Sequence, residues 1–294
     1  MTNFAITGAA GYIAPRHMKA IKDTGGKLVA ALDPHDSMGI LDQYGMDVKY
    51  FKEYERFERH LEKLSAGPNK DGLEFVSICS PNYLHDAHCR LALRTGADAI
   101  CEKPLVISPW NLDALQELEV KTGRRIYTVM QLRYHPKMVK LKERLLKEQP
   151  GTNHDVSLTY MTPRGGWYDV SWKGSPEKSG GIVTNIGVHV WDLLIWLFGE
   201  AMDCGSVCES FPQFVSGYWE FLSADVEVCL SIRPTDPPQR ILTIDGESID
   251  LTDGFTDLHT KVYQETLAGR GLGIEDARPA IELAYKIRKE VQGE

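Results

Sequence analysis

Short apolar segments alternate with amphipathic ones along the first part of the chain, and no other feature constrains the fold as strongly. The apolar segments predict strands at residues 4–7, 27–32, 47–51, 74–79, 98–101 and 125–131. Between them, residues 14–22, 53–64, 83–94 and 109–121 have the apolar spacing of helices. Strands separated by helices of this length pair in parallel through right-handed crossovers. The pattern therefore predicts an α/β fold with a doubly wound parallel sheet of the Rossmann type.

Beyond residue 150, predicted strands follow one another directly, at 154–161, 214–221, 225–232 and 240–244. Asp245 and Gly246 are typical of a hairpin turn into a further strand at 248–251. Helical spacing covers residues 181–198, 255–267 and 274–291. Strands in succession predict an open, mostly antiparallel sheet with one buried face. We therefore expect two domains, residues 1–134 and a C-terminal α+β domain of residues 135–294, with the pattern changing near the stretch 148–152.

The chain is acidic, with a formal net charge of -8 from 33 Lys and Arg against 41 Asp and Glu. Nucleic-acid binding needs the opposite balance, so we expect no nucleic-acid partner. The N-terminus lacks a cationic leader and a long apolar run, and Asp192 interrupts the most apolar later segment, so we predict neither a secretory signal nor a membrane span. The 6 cysteines include no Cys-x-x-Cys pair, which favours reduced thiols in a cytoplasmic protein.

The turn after the first predicted strand is rich in small residues and reads Gly8-Ala9-Ala10-Gly11-Tyr12-Ile13-Ala14. Small residues let the backbone approach a pyrophosphate, whose charge the amides of the following helix can neutralise. The spacing departs from the usual Gly-x-Gly-x-x-Gly, and an ordinary glycine turn is the alternative. Asp33, at the end of the second predicted strand, can accept hydrogen bonds from ribose hydroxyls and repel a 2′-phosphate, although it can also simply open a turn with Pro34. Together these features favour NAD(H) over NADP.

Ligands of open α/β sheets bind at the carboxyl ends of the strands, so the residues there are candidates for chemistry. The fourth predicted strand leads into Ser80-Pro81-Asn82-Tyr83-Leu84-His85, the fifth into Glu102-Lys103-Pro104, and the sixth ends in Gln131-Leu132-Arg133. A Glu-Lys-Pro sequence is ordinarily a solvated turn. In this position, Lys103 becomes a candidate to hold a reacting hydroxyl and stabilise a developing alkoxide.

Asn185, His189 and Asp192 lie on one face of the predicted helix 181–198, at spacings of four and three residues. Such a cluster is either a satisfied buried polar network or a general base with its orienting partners. The presence of Lys103 and a nucleotide-binding pattern favours the base. A metal site is less favoured and none is predicted, because no cysteine or second histidine stands at ligand spacing.

The glycine-rich turn, Glu102-Lys103-Pro104 and Asn185-x-x-x-His189-x-x-Asp192 together resemble the Gfo/Idh/MocA family of sugar oxidoreductases. Within it, the chain is most similar to the UDP-N-acetyl-2-amino-2-deoxy-D-glucuronate 3-dehydrogenases of bacterial O-antigen synthesis. The similar segments are 11–17, 77–88, 98–104, 164–168, 184–189 and 254–263, which together span nearly the whole chain. The resemblance implies an N-terminal NAD-binding Rossmann domain and a C-terminal α+β domain, in agreement with the two patterns above.

The activity that the resemblance implies is NAD-dependent oxidation of the sugar C3 hydroxyl of a UDP-N-acetylglucosaminuronate, as in lipopolysaccharide biosynthesis. His189 would take the hydroxyl proton, with Lys103 holding the oxygen and Asn185 positioning it. The cofactor contacts carried over are Gly8, Gly11, Tyr12, Ile13, Asp33, Ser80, Asn82, His85, Glu102 and Gln131. The residues expected at the substrate are Arg164, Trp167, Tyr168 and Asp192, because arginine suits a diphosphate or carboxylate and aromatic rings stack on sugars and bases. An ordinary turn is an equal alternative for residues 164–168.

The resemblance also implies 2-oxoglutarate as the reoxidant of NADH, and a homotetramer. The open sheet of the second domain, which leaves one face to cover, by itself predicts a homodimer. We expect that oligomer to form through an apolar sheet face containing Tyr218, Trp219, Phe221 and residues 226–230. Two departures from the family pattern stand out: Asn185 where the broad family usually has Asp, and a segment after Glu200 shorter than in the subfamily. The alternatives are a related dehydrogenase of a free sugar, inositol or another nucleotide sugar, and a non-catalytic NAD-bound regulator, against which Lys103 and His189 argue.

Overall fold

The computed structural model describes residues 1–66 and 72–292, in which the strands form two six-stranded sheets. The first sheet contains β1 (Asn3–Thr7), β2 (Lys27–Leu32), β3 (Lys49–Phe51), β4 (Phe75–Ile78), β5 (Asp98–Cys101) and β6 (Ile126–Thr128). The second contains β7 (His154–Met161), β8 (Ala201–Phe211), β9 (Phe214–Phe221), β10 (Ala224–Ser231), β11 (Gln239–Ile244) and β12 (Glu247–Asp250).

The helices, in chain order, are α1 (Ala14–Asp23), α2 (Tyr54–Ala66), α3 (His85–Arg94), α4 (Trp110–Thr122), α5 (Pro136–Leu145), α6 (Trp167–Val170), α7 (Pro176–Ser179), α8 (Gly181–Asn185), α9 (Gly187–Phe198), α10 (Leu258–Leu267) and α11 (Ile274–Gln292). Single 3-10 turns cover Gly39–Gln43, Asn82–Leu84, Gln131–Tyr134 and Trp172–Gly174.

The chain divides into two compact units, each discontinuous in sequence. The first unit comprises Met1–Val129 and Asp257–Asp276, and the second comprises Met130–Thr256 and Ala277–Glu294. The first unit therefore includes α10, whose buried residues Leu258, His259, Val262 and Tyr263 recur at helical spacing and pack beside α1.

The first sheet confirms the predicted Rossmann-type fold. Its order is β3-β2-β1-β4-β5-β6 and every pair is parallel. Helices cover both faces of such a sheet, which explains why β1 and β4 are buried almost throughout, without alternation. Because all six strands are parallel, their carboxyl ends lie along one edge, where the glycine-rich turn, Ser80 and Glu102-Lys103 follow β1, β4 and β5.

The second sheet has the order β12-β11-β7-β10-β9-β8 and is antiparallel except where β7 pairs with β10. Its side chains alternate, so that Trp219, Val226 and Val228 are buried while Tyr218 and Glu227 face outwards. The indole of Trp219 packs edge-on against Trp191 of α9, with ring centroids 4.9 Å apart. One face of this sheet is therefore covered by helices of its own unit.

That packing corrects the sequence prediction for the oligomer surface. Trp219, Phe221 and the apolar residues of 226–230 lie inside the second unit and are unavailable to a partner, whereas Tyr218 is exposed. The prediction was wrong for these residues because alternation identifies the apolar face of a sheet but not what covers it.

Further differences separate the predicted elements from those found. Helices α5, α6 and α7 and strand β8 were not predicted, and the helix predicted over 181–198 is interrupted at Ile186. The helical segments before and after this break are bent by 40° relative to each other. In the described part of the chain, no single helix is both long and apolar enough to cross a membrane. The bent pair, taken together, does have the required length and composition.

Candidate functional site

The glycine-rich turn of the first unit places its own backbone against the backbone of Cys79 and Ser80. Gly8 has a φ of +73°, and a Cβ atom there would lie 2.5 Å from the carbonyl carbon of Cys79. A Cβ atom on Gly11 would lie 3.0 Å from the Gly8 carbonyl oxygen, to which the Gly11 amide donates. A side chain is excluded at Gly8 and, at Gly11, would require the Gly8 carbonyl to shift by a few tenths of an ångström, so the turn keeps a bare backbone surface next to the end of β4.

Helix α1 begins directly after this turn, so the positive end of its dipole lies beside the glycine residues. Among the described residues 13–17, no side chain caps the N-terminus of the helix and no residue is acidic. Tyr12 is 86% exposed, and Ile13 is the N-cap residue. An uncapped helix N-terminus beside a glycine turn fits the diphosphate of a dinucleotide, so the residues present suit NAD.

Asp33 lies immediately after β2 and is tied to the same turn. Its Oδ2 accepts the Ala10 amide at 2.9 Å, and its Oδ1 accepts the His35 amide at 2.9 Å. The carboxylate is therefore held rigidly where a Rossmann fold places the acidic residue that recognises the adenosine ribose. The turn with Pro34 and the position beside the glycine turn are both present, so the two interpretations of Asp33 are compatible.

The residues after β4 form a tightly bonded group rather than an open loop. Ser80 Oγ is 2.9 Å from His88 Nδ1, and the buried His85 contacts the Ser80 carbonyl with Nε2 at 2.8 Å and the Pro104 carbonyl with Nδ1 at 2.7 Å. Burial lowers the pKa of His85, and a neutral ring donates to only one carbonyl at a time. His85 therefore joins the ends of β4 and β5, while Asn82 is buried in the turn between β4 and α3.

Glu102 and Lys103 follow β5 and differ in exposure. Glu102 is 6% exposed, and its carboxylate accepts hydrogen bonds from His17 and His259 at 2.9 Å and 3.0 Å. The Lys103 amide donates to the other carboxylate oxygen at 3.2 Å, and Lys103 itself is half-buried. No role was predicted for His17 or His259, although both stand in segments, 11–17 and 254–263, that resemble the family. Nothing in the local pattern pairs them, because they lie far from Glu102 in sequence.

In the second unit, the three polar residues predicted to share one helical face have different partners. Asn185 is the last residue of α8, and its amide donates to the Tyr168 hydroxyl at 2.8 Å. His189 lies on α9, with Nε2 3.5 Å from Nε2 of Gln131. The break at Ile186 separates Asn185 from the other two, so the regular spacing of one helix does not extend across them.

Asp192 is paired with an arginine of its own unit. The carboxylate is 1% exposed and receives Arg133 Nη2 at 2.6 Å and Arg133 Nε at 3.1 Å. A buried, forked pair of this kind fixes the 3-10 turn Gln131–Tyr134 on α9. The structure thus places Asp192 in a buried ion pair with Arg133, a partner that was not predicted. The predicted contact of Asp192 with the substrate stays a prediction.

Gln131 stands beside His189 with an unused acceptor. Within residues 1–66 and 72–292, its buried Oε1 has no hydrogen-bond partner. Buried amide oxygens are nearly always paired in folded proteins, so an orphaned one beside a histidine indicates a place where a ligand donor is expected.

The segment from Arg164 to Lys173 carries both aromatic and cationic groups. Trp167 is 55% exposed, and Tyr168 beneath it is buried, with burial raising the pKa of its hydroxyl. Lys173 lies with its ammonium 4.2 Å from the ring centre of Trp172 and 5.9 Å from that of Trp167. Burial, and then the charge of Arg164, lower the pKa of Lys173. In the part of the chain that the structure describes, neither cation forms an ion pair with a carboxylate, so this segment suits an anionic ligand.

Known families and structures resemble this chain over most of its length. The Gfo/Idh/MocA models described as "Oxidoreductase family, NAD-binding Rossmann fold" and "Oxidoreductase family, C-terminal alpha/beta domain" match residues 2–130 and 151–224. The WlbA (WbpB) dehydrogenase from Thermus thermophilus in complex with NAD and alpha-ketoglutarate is 49% identical, with a TM-score of 0.93, over 98% of this chain and 95% of that one. The same enzyme in complex with NAD and UDP-GlcNAcA is 48% identical, with the same coverage and TM-score.

Curated sequences match over shorter regions. The 2,7-anhydro-N-acetylneuraminate hydratase of Mediterraneibacter gnavus is 28% identical over 67% of this chain and 49% of its own length. The inositol 2-dehydrogenase of Rhizobium meliloti is 24% identical over 67% of this chain and 55% of its own length. This chain therefore spans about half the length of these curated relatives.

Proposed function

The chain belongs to the Gfo/Idh/MocA oxidoreductase family, and we propose that it oxidises the sugar C3 hydroxyl of a UDP-N-acetylglucosaminuronate with NAD. The observation that carries this proposal is the 48% identity, over 98% of this chain, to a dehydrogenase whose structure holds NAD and UDP-GlcNAcA. An identity of this size over almost the whole chain covers both the glycine-rich turn and the cationic, aromatic segment of the second unit. A sugar nucleotide with a carboxylate is thus the substrate class that both units support.

The geometry of the first unit supports most of the cofactor residues that we propose. The backbone at Gly8 and Gly11, with Tyr12 and Ile13 at the start of α1, would hold the diphosphate, and Asp33 would hold the adenosine ribose. Ser80, Asn82 and His85 would form the wall at the end of β4, and Gln131 of the second unit would offer its unpaired Oε1 to a ligand donor. When bound, NAD supplies the acceptor for the hydride that leaves the sugar carbon.

Residues of this chain would remove the proton from the sugar hydroxyl and stabilise the charge that develops on its oxygen. We assign the general base to His189, whose neutral ring can take the proton of the sugar hydroxyl. Lys103 would hold the hydroxyl oxygen with its ammonium and stabilise the negative charge that develops there. Asn185 cannot accept this proton, because its side chain is a neutral amide. Its amide donates a hydrogen bond to the Tyr168 hydroxyl, so Asn185 would only help to position the groups around the base.

The anionic groups of the substrate would meet the segment 164–173. Arg164 offers a forked donor that matches a carboxylate or a diphosphate, and Lys173 adds a second positive charge held over Trp172. Trp167 exposes a ring on which a sugar or a base could stack. The hydroxyl of Tyr168 instead accepts a hydrogen bond from the amide of Asn185.

We extend the proposal to the turnover cycle and to assembly. The T. thermophilus relative binds alpha-ketoglutarate with NAD, which supports 2-oxoglutarate as the acceptor that reoxidises NADH here. The pathway that we propose for this reaction is the biosynthesis of lipopolysaccharide sugars. A homo-oligomer would form through the outer side of the second sheet, where β8 is an edge strand and Met202, Phe211 and Tyr218 are exposed. Light scattering should therefore give a dimer or a tetramer.

The test is a substrate panel with the purified protein. UDP-N-acetylglucosaminuronate, UDP-N-acetylglucosamine, UDP-glucuronate and myo-inositol are each offered with NAD, with and without 2-oxoglutarate. We expect NADH absorbance and loss of two hydrogen atoms by mass spectrometry only with the first sugar, and 2-hydroxyglutarate when 2-oxoglutarate is present. UDP-N-acetylglucosamine lacks the carboxylate and UDP-glucuronate lacks the N-acetyl group, so oxidation of either at the same rate would contradict the substrate assignment. Oxidation of inositol alone would move the chain to another branch of the family.

A further inference from the structure

Glu102 is the centre of a buried cluster that the proposed reaction does not use. Its Oε1 atom lies 2.9 Å from Nε2 of His17 on α1 and 3.0 Å from Nε2 of His259 on α10. All three residues belong to the first unit and are buried. One carboxylate oxygen thus joins two helices to the end of β5.

The remaining contacts fix where the protons lie. His17 Nδ1 is 2.8 Å from the Tyr263 hydroxyl, which in turn is 2.6 Å from Ser77 Oγ. Because an ionised carboxylate only accepts, both histidines donate to Glu102 from Nε2. The His17 Nδ1 then accepts from Tyr263, and Tyr263 accepts from Ser77. Each of these donors meets an acceptor, so the hydrogen bonds around His17 are complete with a neutral His17 ring and a charged glutamate.

The direction of the pKa shifts agrees with this assignment. Burial lowers the pKa of His17 and raises that of Tyr263, which keeps both neutral. Burial also acts to raise the pKa of Glu102, but the hydrogen bonds from His17 and His259 outweigh it and hold that pKa well below its usual value.

The same three residues form a donor set that a metal could use, since their ligand atoms lie within 4.8 Å of one another. Distances of 2.9 Å and 3.0 Å to one shared oxygen are, however, those of N–H···O hydrogen bonds. The hydrogen-bond assignment also accounts for Tyr263 and Ser77, so it explains more of the cluster than a metal does.

We propose that Glu102 is a positioning residue for Lys103 and does not bind the cofactor. Its second oxygen accepts the Lys103 amide at 3.2 Å, so the His17–Glu102–His259 cluster anchors the main chain from which the Lys103 side chain projects. Three acceptor positions of the carboxylate are thereby filled by this chain. The inference rests on the proposed role of Lys103, and a displacement of ~1 Å at a reacting group can cost up to about 100-fold in rate.

Glu102→Gln is the direct test, with Glu119→Gln as its matched control. Glu119 is also a buried glutamate of the first unit that accepts a backbone amide, from Ile126, but it has no link to Lys103. The side-chain amide introduced by Glu102→Gln cannot accept at both ends, so we expect kcat to fall ~10–100-fold while the Kd for NADH, measured by fluorescence, stays within threefold. Glu119→Gln should lower the Tm and leave both constants near those of the parent. The sugar is whichever member of the substrate panel reduces NAD.

A pair of substitutions at His259 covers the case in which Glu102→Gln does not fold. Glutamine in place of His259 keeps an N–H donor near the position of Nε2, whereas leucine keeps bulk without a donor. His259→Gln should retain a kcat near that of the parent, and His259→Leu should lose ~10-fold or more. Equal kcat in both variants, at equal folded fraction, would overturn the proposal.

Two further outcomes would also overturn it. A rise of tenfold or more in the Kd for NADH in Glu102→Gln would identify Glu102 as a cofactor ligand. Stoichiometric metal in the purified protein, lost together with activity on chelation, would identify the cluster as a metal site.

A readout without substrate separates this inference from the proposed function. In protein labelled with 15N-lysine, the amide signal of Lys103 is the one that Lys103→Arg removes, and the same substitution assigns it in the Glu102→Gln background. A bond to a carboxylate shifts that amide proton downfield, so Glu102→Gln should move it upfield and Glu119→Gln should not. An unmoved signal would show that the bond does not form, whatever sugar the enzyme oxidises.

Discussion

The two units contain histidines that are buried to a similar degree and held in different ways. In the first unit, His17 has partners at both ring nitrogens, at 2.8 Å and 2.9 Å, and each contact joins a donor to an acceptor. In the second unit, His189 is 8% exposed and lies 3.5 Å from Gln131, whose Oε1 atom is unpaired among the described residues. Short complementary bonds at both ring nitrogens favour a structural histidine, while the unpaired amide oxygen beside His189 favours a place where a ligand donor is met.

The largest expected effect tests this contrast at His189. His189→Asn removes the proposed base, so turnover in a single-turnover assay should fall ~10²–10⁴-fold. The Kd for NAD should change little, because the imidazole is assigned to the sugar hydroxyl. His154→Asn is the matched control, since His154 is a buried histidine of the same unit held between Glu148 and Asp245 at 2.9 Å and 2.8 Å.

His154→Asn should lower the Tm and leave turnover per folded molecule near that of the parent. The contrast between the two kinds of histidine breaks down if His189→Asn melts early and still transfers hydride at the parent rate. In that case His189 is a structural residue like His154, and the base must be sought elsewhere.

The sequence was sufficient for the fold of the first unit because its strands are buried on both faces. Short, mostly apolar segments such as β4 and β5, which lack alternation and are separated by helices, leave a parallel sheet as the consistent solution. The Gly8 turn and Asp33 could also be located, because their roles depend on neighbours in sequence and on the end of a strand. The second sheet was predicted with its buried face but without β8.

What the sequence could not supply are contacts between residues far apart in the chain. Tyr263 and His259 belong to α10, which follows the second sheet in sequence and packs in the first unit. No periodicity indicates that His259 bonds Glu102, since the interaction depends on the tertiary position of the helix. The break at Ile186 is similar: the apolar spacing continues through it, so the separate partners of Asn185 and Asp192 were not foreseeable.

The second prediction sharpens the contrast through acid stability. Burial lowers the pKa of His88 in the first unit from 6.5 to about 4. A lowered folded pKa means that the stabilisation is complete above pH 6.5 and is lost as the pH falls towards 4, because the unfolded chain binds the proton first. The difference corresponds to roughly 3 kcal/mol at the low end of that range.

Urea unfolding of the parent and of His88→Gln at pH 7 and pH 4.5 measures this contribution. The free energy of unfolding should fall by less in His88→Gln than in the parent, while His35→Gln, at an exposed histidine, should behave like the parent. Equal losses in all three proteins would show that buried neutral histidines do not set the acid limit.

The third prediction concerns the cofactor side of the first unit. Because Asp33 is held by the Ala10 and His35 amides, its charge cannot swing away from a 2′-phosphate. NAD should bind at least tenfold more tightly than NADP, which is about 1.4 kcal/mol. Calorimetric titration of both nucleotides into the same sample gives the ratio, and equal affinities would remove Asp33 from recognition of the ribose.

The smallest expected effect separates Asn185 from His189, which the sequence places in one motif. Asn185 donates to the Tyr168 hydroxyl at 2.8 Å, so it supports the site through another side chain. Asn185→Ala should lower kcat by less than ~10-fold, because a neutral hydrogen bond contributes about 0.5–1.5 kcal/mol. Tyr168→Phe removes the same bond from its other end, and the double variant should therefore lose less than the sum of the single losses in stability. Fully additive losses would show that the Asn185–Tyr168 bond contributes nothing to stability. If Asn185→Ala lowers kcat as much as His189→Asn, Asn185 acts on the substrate directly and the two residues belong to one catalytic unit after all.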